Sequence, residues 1–435
     1  MYNKTLTKPL IFSCFFAGCL EIYDFVIFGL LASVINKNYL SFLDENTGLI
    51  VTYTLFAIGF LFRPLGSIIF GYIGDKYGRK KALVLSLSFM GSASLGMSIL
   101  PSYEQIGILS CYLIVLIRII QGISVGGEFS GVAIYAVEHT DKKHIGSVGA
   151  IIFTGVMTGV LLATFVGTFL QREGLPEYSW RFAFLLGFGL SIIGYFIRKR
   201  LKETPVFIKN KSKVTGIPLL YGLKNYKKEF IAAILLAGAN NANFYFLVVF
   251  IPNYLKTIGE LSSGFNNFFF MCLMVLFVPF FGWLSDRYSR VKMLILSCSI
   301  LTFYNLIFLD LLIAESIYSL KVIYIVISSM LVSILIVGVN VFIIEIFPAK
   351  CRYSCVALSY SIGAAIFGGT SPMICSLITE YIGNKPVYLG AYISLISFLG
   401  ALGGYLVLHK KQKGLDSSSL KGDRGSLSNL ELQKD

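Results

Sequence analysis

Charged residues are scarce in this sequence. Asp, Glu, Lys and Arg make up 14% of its 435 residues, whereas a soluble globular domain carries about 25%. Histidine occurs three times and tryptophan twice. So little charge excludes a water-soluble protein of this length, and so few histidines exclude a histidine-rich catalytic or metal centre.

Two further motifs are missing. The sequence lacks the Gly-x-x-x-x-Gly-Lys-[Ser/Thr] loop with which nucleotide-driven pumps bind phosphate. Its eight cysteines lie mostly in apolar segments and show no metal-ligand spacing. We therefore expect neither a primary pump nor an enzyme, and no metal or other cofactor.

Apolar residues make up 56% of the chain and form long runs. A membrane-spanning helix needs about 20 mostly apolar residues, whereas a barrel strand needs about ten that alternate. The sequence therefore predicts an all-α integral membrane protein with twelve transmembrane helices in two six-helix bundles. The predicted spans are 9–36, 48–74, 82–103, 106–137, 145–171, 182–197, 230–255, 261–285, 293–309, 322–344, 353–379 and 386–408.

The basic residues favour one side of these spans. With both termini on that side, it carries 29 Lys and Arg against six on the other, while Arg63 and Arg118 lie within spans. Basic loops remain in the cytoplasm, so we expect both termini there, in a bacterial-type inner (plasma) membrane. These loops explain the net charge of +14 through contact with membrane lipids, without nucleic acid.

A polar connector divides the chain near its middle. Residues 198–229 contain ten Lys or Arg and leave six predicted spans on each side. We expect one bundle over residues 1–197 and another over 230–409, joined by this cytoplasmic connector. The tail, 410–435, is rich in Ser, Lys and Gly and is predicted to be disordered.

A short motif occurs in both halves. GYIGDKYGRKK at 71–81 joins spans 2 and 3, and GWLSDRYSRVK at 282–292 joins spans 8 and 9. Repetition of a six-span unit is typical of secondary transporters, which bind substrate near the midplane between the two halves.

The first copy matches the Gly-x-x-x-Asp-x-x-Gly-Arg-Lys/Arg motif of the major facilitator superfamily, which the chain resembles. Within it, the chain resembles the metabolite:proton symporters, a branch with proline/betaine, 2-oxoglutarate, citrate and shikimate carriers. The segments that carry this resemblance are EIYDF (21–25), RPLG (63–66), RIIQGISVGGE (118–128), WRF (180–182), LKETP (201–205) and EIFP (345–348). The resemblance implies a monomeric carrier that imports a small polar metabolite with protons by rocking its two bundles.

Four ionisable residues fall within the predicted spans at similar depth. They are Glu21, Asp24, Arg63 and Arg118, and each is costly in hydrocarbon unless it is paired or faces a water-filled cavity. The histidines lie at span ends, so carboxylates must carry any proton. We assign Glu21, Asp24 and Arg118 to proton coupling, with Arg118 pairing with these acids or binding a substrate carboxylate. The alternative is a set of fixed ion pairs that hold the first bundle together.

The second half has amides and hydroxyls at mid-span rather than charges. Asn240 and Tyr245 lie in span 7, which relatives break at this point, and Tyr360 lies in span 11. Buried amides favour a cavity or a partner on another helix. The predicted substrate-binding residues are Tyr23, Arg63, Arg118, Asn240, Tyr245 and Tyr360.

The resemblance also implies a gate. In relatives the 71–81 loop forms a charge relay with span 4 that closes the cytoplasmic side while the carrier faces outward. The gate residues are predicted to be Asp75, Arg79 and Glu128, with Asp286 and Arg290 in the second copy. Glu128 is expected near the loop because it lies ten residues beyond the mid-membrane position in span 4. The alternative is that the loop only anchors a helix end to lipid phosphates.

Three functions remain in view. The first is proton-coupled symport of a zwitterionic osmolyte such as proline or betaine. The second is symport of a mono- or dicarboxylate such as 2-oxoglutarate or citrate, favoured by the two intramembrane arginines. The third is a membrane sensor that has the same fold but does not transport.

Overall fold

The structure is a computed structural model that describes residues 8–141, 143–172, 174–211, 216–251, 254, 263–313, 318–382 and 385–431. Within these residues the chain is helical and contains no β-strand. Twelve helices in this described part of the chain are long and apolar enough to cross a membrane, which confirms the predicted fold class. The spans, numbered 1 to 12, are Ile11–Leu30, Thr54–Lys76, Arg79–Ile99, Ile108–His139, Ile145–Leu170, Arg181–Arg200, Lys227–Phe250, Phe268–Ser285, Arg290–Ile307, Val322–Ile346, Arg352–Ile382 and Pro386–Leu408.

Spans 2, 7 and 11 are not continuous α-helices. Span 2 restarts at Arg63, where Pro64 occupies the first turn of the new helix and lacks the N–H that a continuing helix would need. In span 7 the α-helix Lys227–Tyr245 is followed by a π-helix, Phe246–Phe250. Span 11 contains the π-helix Ala364–Gly369. Turns of this kind are frequent at functional sites.

The bundles meet along two seams. Span 2 packs against span 11, and span 5 packs against span 8. Glycines permit close approach of helices within and between bundles. A methyl group on Gly155 of span 5 would overlap the carbonyl oxygen of Phe15 in span 1, and one on Gly282 of span 8 would overlap Ala150 of span 5.

The chain outside the spans is also helical in part. The connector contains two short helices, Pro205–Asn210 and Pro218–Asn225, each with proline at its first position. The last helix runs from Pro386 to Glu431, so the prediction of a disordered tail from residue 410 differs from the structure. No proline follows Pro386, and therefore no residue in the tail forces this helix to end.

Candidate binding cavity and inter-bundle contacts

A cavity lies between the two bundles, next to the π-helical turns of spans 7 and 11. Its volume is about 50 Å³, which is room for a few water molecules. Polar and aromatic side chains from both bundles line it, among them Glu21, Arg63 and Phe129 from the first and Asn240, Tyr245 and Tyr360 from the second. The sequence-predicted residues Glu21, Arg63, Asn240, Tyr245 and Tyr360 therefore come together here.

The first bundle contributes a cation and an acid to the cavity. The Arg63 guanidinium lies over the rings of Phe25 and Phe60, at 4.6 and 4.4 Å from their centroids. Its Nε–H has no hydrogen-bond partner among the described residues, while Glu21 is also buried at the cavity. A guanidinium held against two aromatic rings is positioned to bind an oxygen of a ligand.

The second bundle contributes amides and phenol rings. Asn240 is buried, and its Oδ1 atom has no partner among the described residues. The Tyr360 ring lies 5.1 Å from that of Phe129, and the Tyr245 ring lies 5.9 Å from that of Phe60, so rings of the two bundles meet. The second-bundle side of the cavity is therefore an uncharged wall of aromatic rings with a few polar groups.

Tyr23 and Arg118 lie outside the cavity lining, contrary to the prediction that they face the substrate. The Tyr23 hydroxyl donates to the carbonyl oxygen of Ala183 in span 6, at 2.9 Å. Arg118 donates to the Leu55 carbonyl at 3.2 Å and to Gln121 Oε1 at 2.7 Å. Spacing along a helix gives depth, but successive side chains turn by about 100°, so Tyr23 points away from Glu21.

Asp24 also faces away from the cavity. Its carboxylate accepts a hydrogen bond from the Ser94 hydroxyl of span 3, and a methyl group on Gly187 of span 6 would overlap it. Glu21 and Asp24 therefore do not face the same way, although only three residues separate them. Glu21 faces the other bundle, and Asp24 faces the interior of its own.

Asp75 joins the two bundles at the end that carries the basic loops, here called the basic end. Its carboxylate accepts hydrogen bonds from the backbone N–H groups of Tyr353 and Ser354, at 3.1 and 2.9 Å. These groups open span 11, and a carboxylate at a helix N-terminus satisfies amides that have no partner within the helix. Arg79 pairs with Asp75 at 3.1 Å and donates to the Ala349 carbonyl at 2.8 Å. We call Asp75, Arg79, Tyr353 and Ser354 the Asp75 cluster.

The second copy of the motif makes the same contact with exchanged bundles. Asp286 accepts the backbone N–H groups of Gly146 and Ser147, at 2.6 and 2.9 Å, where span 5 begins. Arg290 pairs with Asp286 at 3.2 Å and with Glu345 at 2.8 Å. We call Asp286, Arg290, Gly146 and Ser147 the Asp286 cluster.

The acid that joins the Asp75 cluster is Glu138, not the predicted Glu128. Glu138 is buried and accepts hydrogen bonds from Arg79 Nε at 3.2 Å and from Arg352 Nη1, of the other bundle, at 2.9 Å. Glu128 instead pairs with Arg198 of span 6. Span 4 continues to His139, so Glu128 lies about 15 Å short of Glu138.

A signal for Glu138 was available in the sequence. An acid in the last turn of a helix opposes the helix dipole, so its presence there indicates a cationic partner.

The connector supplies a second acid that was not predicted to belong to the site. Glu203 accepts the backbone N–H groups of Arg79 and Lys80, at 3.1 and 3.2 Å, and so caps the start of span 3.

Comparison with known proteins agrees with this architecture. Residues 10–216 match the family model for sugar (and other) transporters, and residues 230–431 match the model for the major facilitator superfamily. The chain is 30% identical to the shikimate transporter of Escherichia coli (strain K12), over 88% of this chain and 92% of that one. It is 28% identical to the "Putative proline/betaine transporter" of Staphylococcus aureus (strain COL), over 99% and 93%.

A solved structure has the same fold. The proton:xylose symporter XylE bound to 6-bromo-6-deoxy-D-glucose matches with a TM-score of 0.74 at 17% identity, over 91% of this chain and 94% of that one. Repeated bundles, a central cavity and these relatives together define a multi-pass membrane transporter of small molecules. The chain belongs to the major facilitator superfamily.

Proposed function

We propose that the protein is a secondary active transporter that imports a small zwitterionic metabolite or osmolyte, such as proline or betaine, together with protons. The observation that carries this proposal is the cavity, in which Glu21 and Arg63 of one bundle face the amide and aromatic wall of the other. The name of the Staphylococcus aureus relative supports the substrate class.

The cavity offers a complementary group to both the anionic and the cationic end of a zwitterion. The carboxylate binds Arg63, whose unused Nε–H is a charge-assisted donor. The ammonium or quaternary ammonium lies against the Tyr245, Tyr360 and Phe129 rings, because a cation is attracted to an aromatic face. The cavity must widen to admit such a molecule, which requires the bundles to move apart.

Glu21 couples transport to a proton in this scheme. When a substrate carboxylate binds Arg63, it neutralises the cation nearest to Glu21 along the cavity, and a second buried anion becomes costly. Binding a proton removes that cost, so substrate and proton occupy the carrier together. Asp24, hydrogen-bonded to Ser94 away from the cavity, is the candidate for a second proton.

The Asp75 and Asp286 clusters act as the gate in this cycle. The excess of Lys and Arg at the basic end supports a cytoplasmic location for that end and for both termini. Both clusters join the bundles at that end, so both must separate for substrate to leave. A single chain contains the cavity and both clusters, and the transporter therefore works as a monomer.

A carboxylate carrier is the second candidate. It is favoured by the shikimate transporter among the relatives and by the Arg63 Nε–H, which has no partner among the described residues. In that case Arg63 alone fixes the substrate, and the aromatic wall packs against an uncharged ring or chain.

The decisive experiment uses purified protein in liposomes with an alkaline interior. Uptake of labelled proline, glycine betaine, shikimate and 2-oxoglutarate is followed with and without a protonophore. Protonophore-sensitive accumulation of the first two supports the osmolyte symporter, whereas uptake of only the acids supports the second candidate. If a folded protein accumulates none of the four, the proposed substrate class is wrong, and a non-transporting sensor becomes the better explanation.

Glu21→Gln tests the coupling residue. The variant should exchange substrate across the membrane but not accumulate it against a gradient, because it cannot bind the proton. Glu177→Gln, at an exposed ion pair with Lys37, is the matched control and should behave as wild type. Normal accumulation by the Glu21 variant would refute this assignment.

A further inference from the structure

The side chain of Tyr353 crosses from the second bundle into the first. Tyr353 lies in the first turn of span 11 and is fully buried. Its hydroxyl donates to the Gly127 carbonyl of span 4 at 2.7 Å. A methyl group on Gly74 of span 2 would overlap its ring, and one on Gly131 of span 4 would overlap its hydroxyl. We call Gly74, Gly127 and Gly131 the glycine socket.

The socket accepts a large side chain because its glycines have none. Any larger residue at Gly74 or Gly131 would occupy the volume that the phenol ring fills, and a packed interior does not absorb an added methyl group freely. The ring therefore fits only when the two bundles are fully closed at the basic end.

The Asp286 cluster has no counterpart of this ring. Gly146 precedes Ser147 at the start of span 5, as Tyr353 precedes Ser354 at the start of span 11. A methyl group on Gly146 would overlap the backbone carbonyl oxygen of Gly282 in span 8, so there the helices approach backbone to backbone. The Asp75 and Asp286 clusters thus make similar hydrogen bonds, but the helices beside them pack in different ways.

We propose that Tyr353 is the plug of the cytoplasmic gate and the residue that positions span 11 for capping by Asp75. This proposal rests on the alternating-access cycle proposed above. When the basic end opens, the ring leaves the socket, and water can hydrate both its hydroxyl and the Gly127 carbonyl. The Tyr353 hydroxyl and the Gly127 carbonyl then form hydrogen bonds with water in place of the one they lose. Withdrawal of the ring therefore costs little free energy, and the closed gate can open again.

Gly131→Ala tests the socket, with Gly189→Ala as its matched control. Both changes add one methyl group to a spanning helix and gain the same helix propensity, but within the part of the chain that the structure describes no atom of another segment lies within 4 Å of the methyl position at Gly189. Amide hydrogen exchange of the purified full-length protein reports on the Tyr353 and Ser354 N–H groups that Asp75 holds. We expect Gly131→Ala to raise their exchange about tenfold or more, by overpacking the closed state, and Gly189→Ala to leave it unchanged.

Tyr353→Phe is a milder test that keeps the ring. Loss of one hydrogen bond should raise exchange of the same amides about fivefold, without change at amides in the middle of span 10. In the Gly131→Ala background, Tyr353→Leu should restore protection, since the shorter side chain leaves room for the added methyl group. Both variants must elute as monodisperse protein with a cooperative unfolding transition.

Equal exchange in the Gly131→Ala and Gly189→Ala proteins would overturn the plug. So would a Tyr353→Leu change that further loosens, rather than rescues, the Gly131 variant. These measurements need neither substrate nor a proton gradient. A wrong substrate or coupling residue therefore leaves their outcome intact, and failure of the plug leaves the transport assay intact.

Discussion

The Asp75 carboxylate accepts hydrogen bonds from both the backbone N–H and the hydroxyl of Ser354, although the two residues belong to different bundles. Asp286 holds Ser147 in the same way, with the bundles exchanged. The internal repeat of the sequence is thus also a repeat of contacts. Two helix N-termini are capped by acids that arrive from the opposite half, and both caps lie at the same end.

Neutralising either capping acid should open the basic end. Asp75→Asn and Asp286→Asn keep the size of the side chain but remove the charge that complements a helix N-terminus, a loss of about 1–2 kcal/mol. Amide exchange at the starts of spans 11 and 5 should rise about tenfold. Asp44→Asn is the control, because Asp44 caps the helix Glu45–Leu61 within one bundle by accepting the Thr47 N–H. Wild-type protection in both gate variants would contradict the gate.

Glu138→Gln should weaken the gate from the span 4 side. The variant leaves Arg79 and Arg352 without the acid that both contact, and loss of a charge-assisted hydrogen bond costs about 1.5–3 kcal/mol. We expect faster exchange at the start of span 11 and slower accumulation of substrate. Unchanged exchange there would mean that Glu138 serves only to fold the end of span 4.

Glu128→Gln should lower stability without opening the gate. Its partner, Arg198, is 3% exposed, and removing one member of a buried ion pair costs about 3–5 kcal/mol because the other charge remains unpaired. The measurement is the thermal unfolding midpoint in detergent, together with amide exchange at the basic end. We expect a lowered unfolding midpoint with normal protection of the span 11 amides. An unchanged midpoint with faster exchange at span 11 would instead support the prediction that Glu128 is a gate residue.

Arg63→Lys should raise KM for substrate about tenfold, with a smaller change in kcat. Lysine keeps the positive charge but loses the planar group that contacts the Phe25 and Phe60 rings and offers several donors. Arg118→Lys is the comparison, since Arg118 contacts Leu55 and Gln121 rather than the cavity. It should lower stability and leave KM unchanged. A larger KM change for Arg118 than for Arg63 would contradict the site.

The positions of the spans follow from the sequence because hydrocarbon thickness fixes their length and apolar character. Depth follows as well, since a helix rises about 1.5 Å per residue. These rules placed Glu21 and Arg63 within the membrane, where the structure has them beside a cavity. Spacing alone did not decide which direction a side chain takes, and for that reason Tyr23 and Arg118, predicted to face the substrate, lie outside the cavity lining.

Contacts between distant segments were the harder part. Glu128 and Glu138 both lie in span 4, and only the packing of span 6 and of the loop at Asp75 decides which of them meets Arg79. The fit of Tyr353 depends on the missing side chains of Gly74 and Gly131 and on the carbonyl oxygen of Gly127, in two other spans. The residue pattern of a single helix cannot predict this fit, because the fit forms only when the two bundles have closed against each other.

The exchanged caps give the two halves the contact pattern of an isologous dimer. Each half offers an acid to its counterpart and receives one in return, as in assemblies built on a two-fold axis. In each half a described amide at the start of the fifth helix, that of Gly146 or Tyr353, donates to an acid of the other half. Two halves expressed as separate polypeptides should therefore associate through these caps, even without the connector that normally joins them.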